Sequence, residues 1–419
     1  MALIARTRRI DENIDLLTVS GAHGVLVERG RTGLAGRGEA LRIPWSDGTP
    51  QARARAVTRA LATIESDDEV GLPGCGPVAF GALPFDPAAP AELVVPQIVV
   101  GRSEEGVRWA TTIGDGAAAP ASNGGTATAW LAAAIDHPDA PPGSQPRRFE
   151  VLSAQAPEEW CALVEKARAE LASASNLAKV VLARQVTITA DQPLDRGAVL
   201  QRLRAGYPGC YLVSVDGLVA ASPELLVSRQ GDTVRSHPMA GTAPRGGDPT
   251  TDQRLAASLL ASTKDRAEHQ VTIDMVQDTL LGWCSYVDYE AEPSVVAVAN
   301  VQHLATLIEG RLSQPAPSVL ELVAALHPTP AVAGSPRDEA VRWIDAHERL
   351  DRRRYAGPAG WVDGRGNGTW AVAVRSAELE TTTARVYAGN GIVADSDPVI
   401  ELAETRAKLQ AMLSAIITP

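Results

Sequence analysis

Between Tyr211 and Ser236 the chain sets three short aliphatic runs almost end to end. They are Tyr211 to Val219, Glu224 to Arg229 and Thr233 to Ser236, with turn residues at Asp216-Gly217 and Gln230-Gly231-Asp232. Connections this short join antiparallel neighbours, because a parallel crossover needs about a dozen residues or more. Lys179 to Ile188, Val295 to Ala299, His303 to Arg311, Trp361 to Val362, Thr369 to Ser376 and Thr383 to Gly389 also read as strands. Helices are predicted at Glu158 to Ala174, Asp252 to Ala261, Thr263 to Gly282, Pro336 to Leu350 and Pro398 to Ile416. Strand pairs interrupted by helices predict an α+β fold with largely antiparallel sheets.

Three stretches differ in texture. Residues 1–113 mix apolar runs with turn residues, as in Val78 to Pro87 and Leu93 to Val100. Residues 114–148 are dominated by Ala, Gly, Pro and Ser, the composition of a surface loop or linker, with a short helix expected around Thr128 to Ile135. Residues 149–419 carry the strongest signals. The 419 residues are 45% hydrophobic, enough for a large core. A formal net charge of -11 argues against a nucleic-acid partner. No apolar run reaches bilayer-spanning length, and Met1 to Glu12 is charged, without the apolar core of a secretory signal. The four cysteines are widely spaced, which predicts reduced thiols in a cytoplasmic protein with neither a disulfide framework nor a zinc site.

Two acidic clusters stand out. Asp265 and Glu268 are three residues apart, and Glu401, Glu404 and Lys408 follow one another at i, i+3 and i+7. On helices each set lines one face, and two such faces make an oxygen-rich site for a hard cation such as Mg2+. Solvated helix faces carry the same spacing, and Asp265 also suits a helix N-terminus near Ser262.

Other positions suggest acid–base chemistry. Lys179 begins an apolar strand face shared with Val181 and Ala183; desolvation there favours the neutral amine that a general base requires, although a strand-end lysine also reaches water readily. Glu224, in Ser222-Pro223-Glu224-Leu225, is either a turn carboxylate or, if buried, an acid of raised pKa. Gly241 permits close backbone approach to a ligand, and Thr242 adds a hydroxyl. Arg375 ends an apolar run and can grip a carboxylate bidentately.

These segments, with Leu326 to Gly334, Arg353 to Gly360 and Tyr387 to Val393, occur in an order that resembles the chorismate-utilising enzymes and, within them, the isochorismate synthases. The resemblance covers residues 150–419 and extends to Gly76 to Asp86. It implies a single large α+β domain of two packed antiparallel sheets flanked by helices, with 1–113 completing the sheet framework and 149–419 forming the catalytic region. It implies that Lys179 activates water, that Glu224 is the acid, and that Glu268 and Glu404 bind Mg2+ with support from Asp265 and Glu401. Tyr355 and Arg375 would hold a carboxylate of chorismate. Gly241, Thr242, Gly389 and Gly391 would line the pocket, with His303 and Lys408 close by. Ala331 and Val332 lie in the segment resembling the version that stops at isochorismate rather than continuing, as salicylate synthases do, to salicylate. Ammonia-using relatives carry Gln where Lys179 stands, and aminodeoxychorismate synthases a Lys where Ala240 stands. Water is therefore the implied nucleophile, no glutamine amidotransferase subunit is expected, and a monomer or weak dimer is implied. The product would feed menaquinone or a salicylate- or catechol-type siderophore. A non-catalytic chorismate-binding protein is the contrasting reading, disfavoured by the intact set Lys179, Glu224, Glu268 and Glu404.

Overall fold

The computed structural model describes residues 2–115, 146–173, 176–298 and 301–417. Most of the segment 114–148, including the helix expected at 128–135, lies outside the described residues.

Two large sheets pack face to face, and the side-chain alternation of their strands builds the layers. In Tyr211–Val215, the residues Tyr211, Val213 and Val215 point between the sheets, while Leu212 points to the opposite face. Val25–Arg29 does the same with Val25 and Val27 against Leu26. Across the interface the nine-stranded sheet contributes Val78, Phe80, Ala82 and Trp361. The outer face of the thirteen-stranded sheet is covered by the helices Leu16–Ser20, Arg196–Gly206 and Pro398–Ile416, whose Val199, Leu203, Leu409 and Met412 meet Leu26, Leu212 and Val386. The outer face of the nine-stranded sheet packs against Pro50–Ala62 and Val319–Leu326. Pairing is antiparallel among the described strands except between Leu3–Arg9 and Glu65–Asp68, which run parallel. Strands from the first 115 residues are integral to both sheets: Val25–Arg29 pairs with Tyr211–Val215 and Val78–Ala82 with Pro358–Asp363.

The structure adds one feature to the two-sheet framework expected from the sequence. A third sheet exists, made of Met239–Pro244, Val301–Ala305 and Ser294–Val298. It arises because runs read as continuous strands are broken and change sheets. His303 to Arg311 divides into Val301–Ala305, in the small sheet, and Ile308–Leu312, in the nine-stranded one. Thr369 to Ser376 divides into Gly368–Val372 and Ser376–Leu379, which belong to the nine- and thirteen-stranded sheets. Pro238, which has no N–H for a ladder, separates Thr233–His237 from Met239–Pro244. Pro223-Glu224 separates Leu218–Ser222 from Leu225–Gln230.

These corners interlock. The N–H of Val372 donates to the carbonyl of Glu224, that of Ala221 to Arg375, and that of Thr306 to Pro238, at 3.2, 3.1 and 3.4 Å. At the third-sheet side, Ser262 caps the helix Thr263–Leu281 by accepting from the N–H of Asp265. Asp397 caps Pro398–Ile416 by accepting from Val399 and Ile400. Asp265 and Glu401 thus sit in the first turns of these two helices, with Glu268 and Glu404 about a turn further on.

Candidate active site

A cavity of about 1100 Å³, counted out to open solvent, lies where the strands change sheets. Lys179 and Val181 enter it from the strand Lys179–Ala190, Glu224 and Arg375 from two corners, and Gly241, Thr242 and His303 from the third sheet. Asp265 and Glu268 come from one capped helix, Glu401, Glu404 and Lys408 from the other. Tyr355, Ala331 and Val332 close one wall, Gly389 and Gly391 another. All the residues picked out in the sequence as site candidates therefore face one cavity, including pairs separated by more than a hundred positions.

Lys179 is buried, and its ammonium donates to Glu268 Oε1 at 2.7 Å. Burial works to raise the Glu268 carboxyl, but the charge and hydrogen bond of Lys179, with Lys408 and Lys264 behind it, hold it below the usual carboxylate range. Lys408 donates to Asn390 Oδ1 and the Gly389 carbonyl at 2.8 and 3.0 Å, and its ammonium forms an ion pair with Glu404 Oε1 at 2.7 Å. Burial, then the adjacent Glu404 charge, raises the Glu401 carboxyl.

Glu224 is 6% exposed, and burial pushes its carboxyl up to about 7 against the Met239 N–H bond and the charges of Arg375 and Lys179. Arg375 holds a left-handed backbone, φ 50°, a strain of about 1–2 kcal/mol that the two corners impose. Its Nη2 donates to His303 Nε2 at 2.8 Å. A guanidinium only donates, so Nε2 is the lone-pair nitrogen, and the proton sits on Nδ1, facing the Gly241 carbonyl at 3.2 Å and Thr242 Oγ1 at 3.1 Å. Burial and the charges of Arg375 and Lys408 keep this imidazole neutral, far below its ordinary pKa. The buried Nε of Arg375 has no hydrogen-bond partner among the described residues.

Glycine allows close approach at two positions. Gly241 has φ 73°, and a Cβ there would press on Asp265 at 3.2 Å. A Cβ on Gly391 would lie 2.5 Å from Lys179 Cε and 3.4 Å from Glu268 Oε1.

The cation site was tested on its donor chemistry. Five carboxylates and no thiol line the cavity, and four of them, Asp265, Glu268, Glu401 and Glu404, come from the two capped helices, a set suited to a hard ion. Among the described residues no three such groups already form a chelating cluster. Mg2+ commonly takes one or two protein carboxylates and fills its shell with water and ligand oxygens, so the residues fit that ion.

Sequence reasoning missed Lys264, Asn390 and Ser396, which also line the cavity. Asn390 is 2% exposed and links Lys408 to Glu401, donating to both a side-chain and the backbone oxygen of Glu401 at 2.9 Å. Strand alternation places it on the face opposite Gly389 and Gly391, and only its position between two glycines could have marked it.

The chorismate binding enzyme family matches residues 26–417. The chain is 37% identical over 351 residues to the isochorismate synthase DhbC of Bacillus subtilis, covering 81% of each protein. It is 34% identical over 351 residues to the isochorismate synthase EntC of Escherichia coli, again covering 81% of each. The menaquinone-specific isochorismate synthase MenF of Escherichia coli superposes with a TM-score of 0.80 over 99% of this chain and 94% of that one, a likeness of fold at 24% identity. With a family match that spans nearly the whole chain and identities above 30% across four-fifths of it, the protein belongs to the chorismate binding enzymes.

Proposed function

We propose that the protein is an isochorismate synthase, converting chorismate reversibly to isochorismate. The observation that carries this reading is Glu224, a carboxylic acid that burial keeps protonated to about 7 in the same cavity as Lys179 and Arg375.

Arg375 and Tyr355, which both line the cavity, bind a carboxylate of the substrate. Water attacks C2 of the ring, and the amine of Lys179 takes its proton. The two ring double bonds shift, the C4–O bond breaks, and Glu224 protonates the departing hydroxyl to water. The proton on Lys179 and the charge on Glu224 are then reset through solvent, and the reverse reaction uses the same groups in exchanged roles. Lys179 accepts a proton only as the free amine, so its pair with Glu268 must part first. Glu268 is one of the carboxylates assigned to the cation, which gives it a second partner. Mg2+ held by Glu268 and Glu404, with Asp265 and Glu401 in support, would supply charge neutralisation at the ring carboxylate. The reaction needs no ammonia and hence no glutamine amidotransferase partner.

The test is a long incubation with chorismate and Mg2+ near neutral pH, followed by chromatography and a pyruvate assay. A standing mixture of chorismate and isochorismate is expected, because moving a hydroxyl between two positions of one diene changes the energy little. Stoichiometric pyruvate and salicylate would make the protein a salicylate synthase. Binding without turnover would leave it a chorismate-binding protein.

A further inference from the structure

Glu348 and Arg352 form an ion pair outside the cavity whose side chains are 1% and 3% exposed. The contact is bidentate: Nε meets Oε1 and Nη2 meets Oε2, both at 2.7 Å. Burying two charges is unfavourable unless every remaining donor and acceptor is used. Here most of them are used on backbone. Arg352 Nη2 donates to the Val181 carbonyl at 2.6 Å, and Nη1 donates to the Val332 carbonyl at 3.0 Å. Glu348 Oε2 accepts from the Ala183 N–H at 2.7 Å. The guanidinium also stacks 4.3 Å from the centre of the Phe85 ring.

These contacts fill a gap in a sheet. One edge of Lys179–Ala190 is fully paired with Thr383–Ile392. The other edge is paired only at its ends, by Gly334–Ser335 against Lys179 and Val180 and by Phe149–Ser153 against Val186 to Ala190. Between them the ion pair supplies what a neighbouring strand would, a donor for Val181 and an acceptor for Ala183. The same guanidinium ties in Val332, whose side chain lines the cavity.

We infer that Glu348 and Arg352 are the positioning pair of the reaction, holding the strand that carries Lys179 at a set distance from the Ala331–Val332 wall. Neither touches substrate; both act through Lys179 and Val332. The inference rests on Lys179 being the base of the proposed reaction. An ångström of misplacement at a reacting centre lowers rate by about a hundredfold, while binding contacts elsewhere persist.

The test compares the parent chain with Arg352→Lys and Glu348→Gln. Thermal unfolding, chorismate-binding stoichiometry, KM and kcat are measured for each. Arg352→Lys keeps a charge opposite Glu348 but cannot serve both carbonyls and both carboxylate oxygens in the fork geometry. The expected result is full binding stoichiometry, KM within about threefold of the parent, and kcat lower by about 30- to 100-fold. Glu348→Gln should show the same split with a smaller loss, and it carries the test if the arginine variant does not fold. A kcat per binding site equal to the parent's in a folded variant, with loss confined to the binding-competent fraction, would mean a purely structural pair and overturn the inference. Absence of turnover by the parent itself would instead defeat the functional reading, and this inference with it.

Discussion

At the scale of single residues, Lys179 and Glu224 answer to opposite electrostatics. Lys179 is paired with Glu268 at 2.7 Å, whereas burial holds Glu224 as the neutral acid. Replacing Lys179 with Gln is expected to lower kcat by about 10²–10⁴ while leaving chorismate binding largely intact; steady-state kinetics with a binding titration checks this, and a near-normal kcat would remove Lys179 from its role. Glu224→Gln should block the forward and reverse reactions alike. The same variant has a signature in stability. The Glu224 carboxyl ionises near 4.5 in an unfolded chain and near 7 in the folded one, so between those values the folded state holds the extra proton. Its contribution is present below about 4.5 and is lost as pH rises through about 7, a difference of roughly 3 kcal/mol. Relative to the parent, Glu224→Gln should therefore become progressively more stable between pH 5 and pH 8, as denaturant melts at several pH values would show; a parallel pair of curves would contradict the raised pKa.

Elements determine how closely these groups approach. The strand Thr383–Ile392 runs beside Lys179–Ala190 with Val181 opposite Gly391, and the missing side chain at Gly391 makes room for the lysine's end. Gly391→Ala should leave the fold intact, since the atom it meets first is the flexible Lys179 Cε, yet lower kcat by at least about tenfold by displacing the amine. Circular dichroism alongside kinetics separates this from unfolding. At the start of the C-terminal helix, Asp397 caps two N–H groups and presents Glu401 and Glu404 to the cavity. Asp397→Ala is expected to cost about 1 kcal/mol. It should also weaken cation binding through fraying of the turn that carries Glu401.

For the whole molecule, the site depends on two helices, three sheets and four corners meeting at one place. A cation bound by Glu268 and Glu404 would link two of those helices and stabilise the folded state by mass action. Mg2+ is accordingly expected to raise Tm in a concentration-dependent way, EDTA to abolish turnover, and Glu404→Ala to remove both responses. Full activity in chelated buffer would rule the cation out.

Much of this was legible in the linear chain. The short turns at Asp216-Gly217 and Gln230-Gly231-Asp232 dictated antiparallel pairing, because local backbone geometry permits little else. The i, i+3 spacing of Asp265 with Glu268 and of Glu401 with Glu404 put each pair on one helix face. What the chain could not reveal is where strands leave one sheet for another. Local β-propensity runs unbroken through His303 to Arg311 and Thr369 to Ser376, so the breaks at Thr306 and Arg375 come from hydrogen bonds between corners distant in sequence. For the same reason Glu224 became a buried acid and Arg352 a surrogate strand edge only in the folded chain: burial and pairing are properties of the surroundings that tertiary packing brings together.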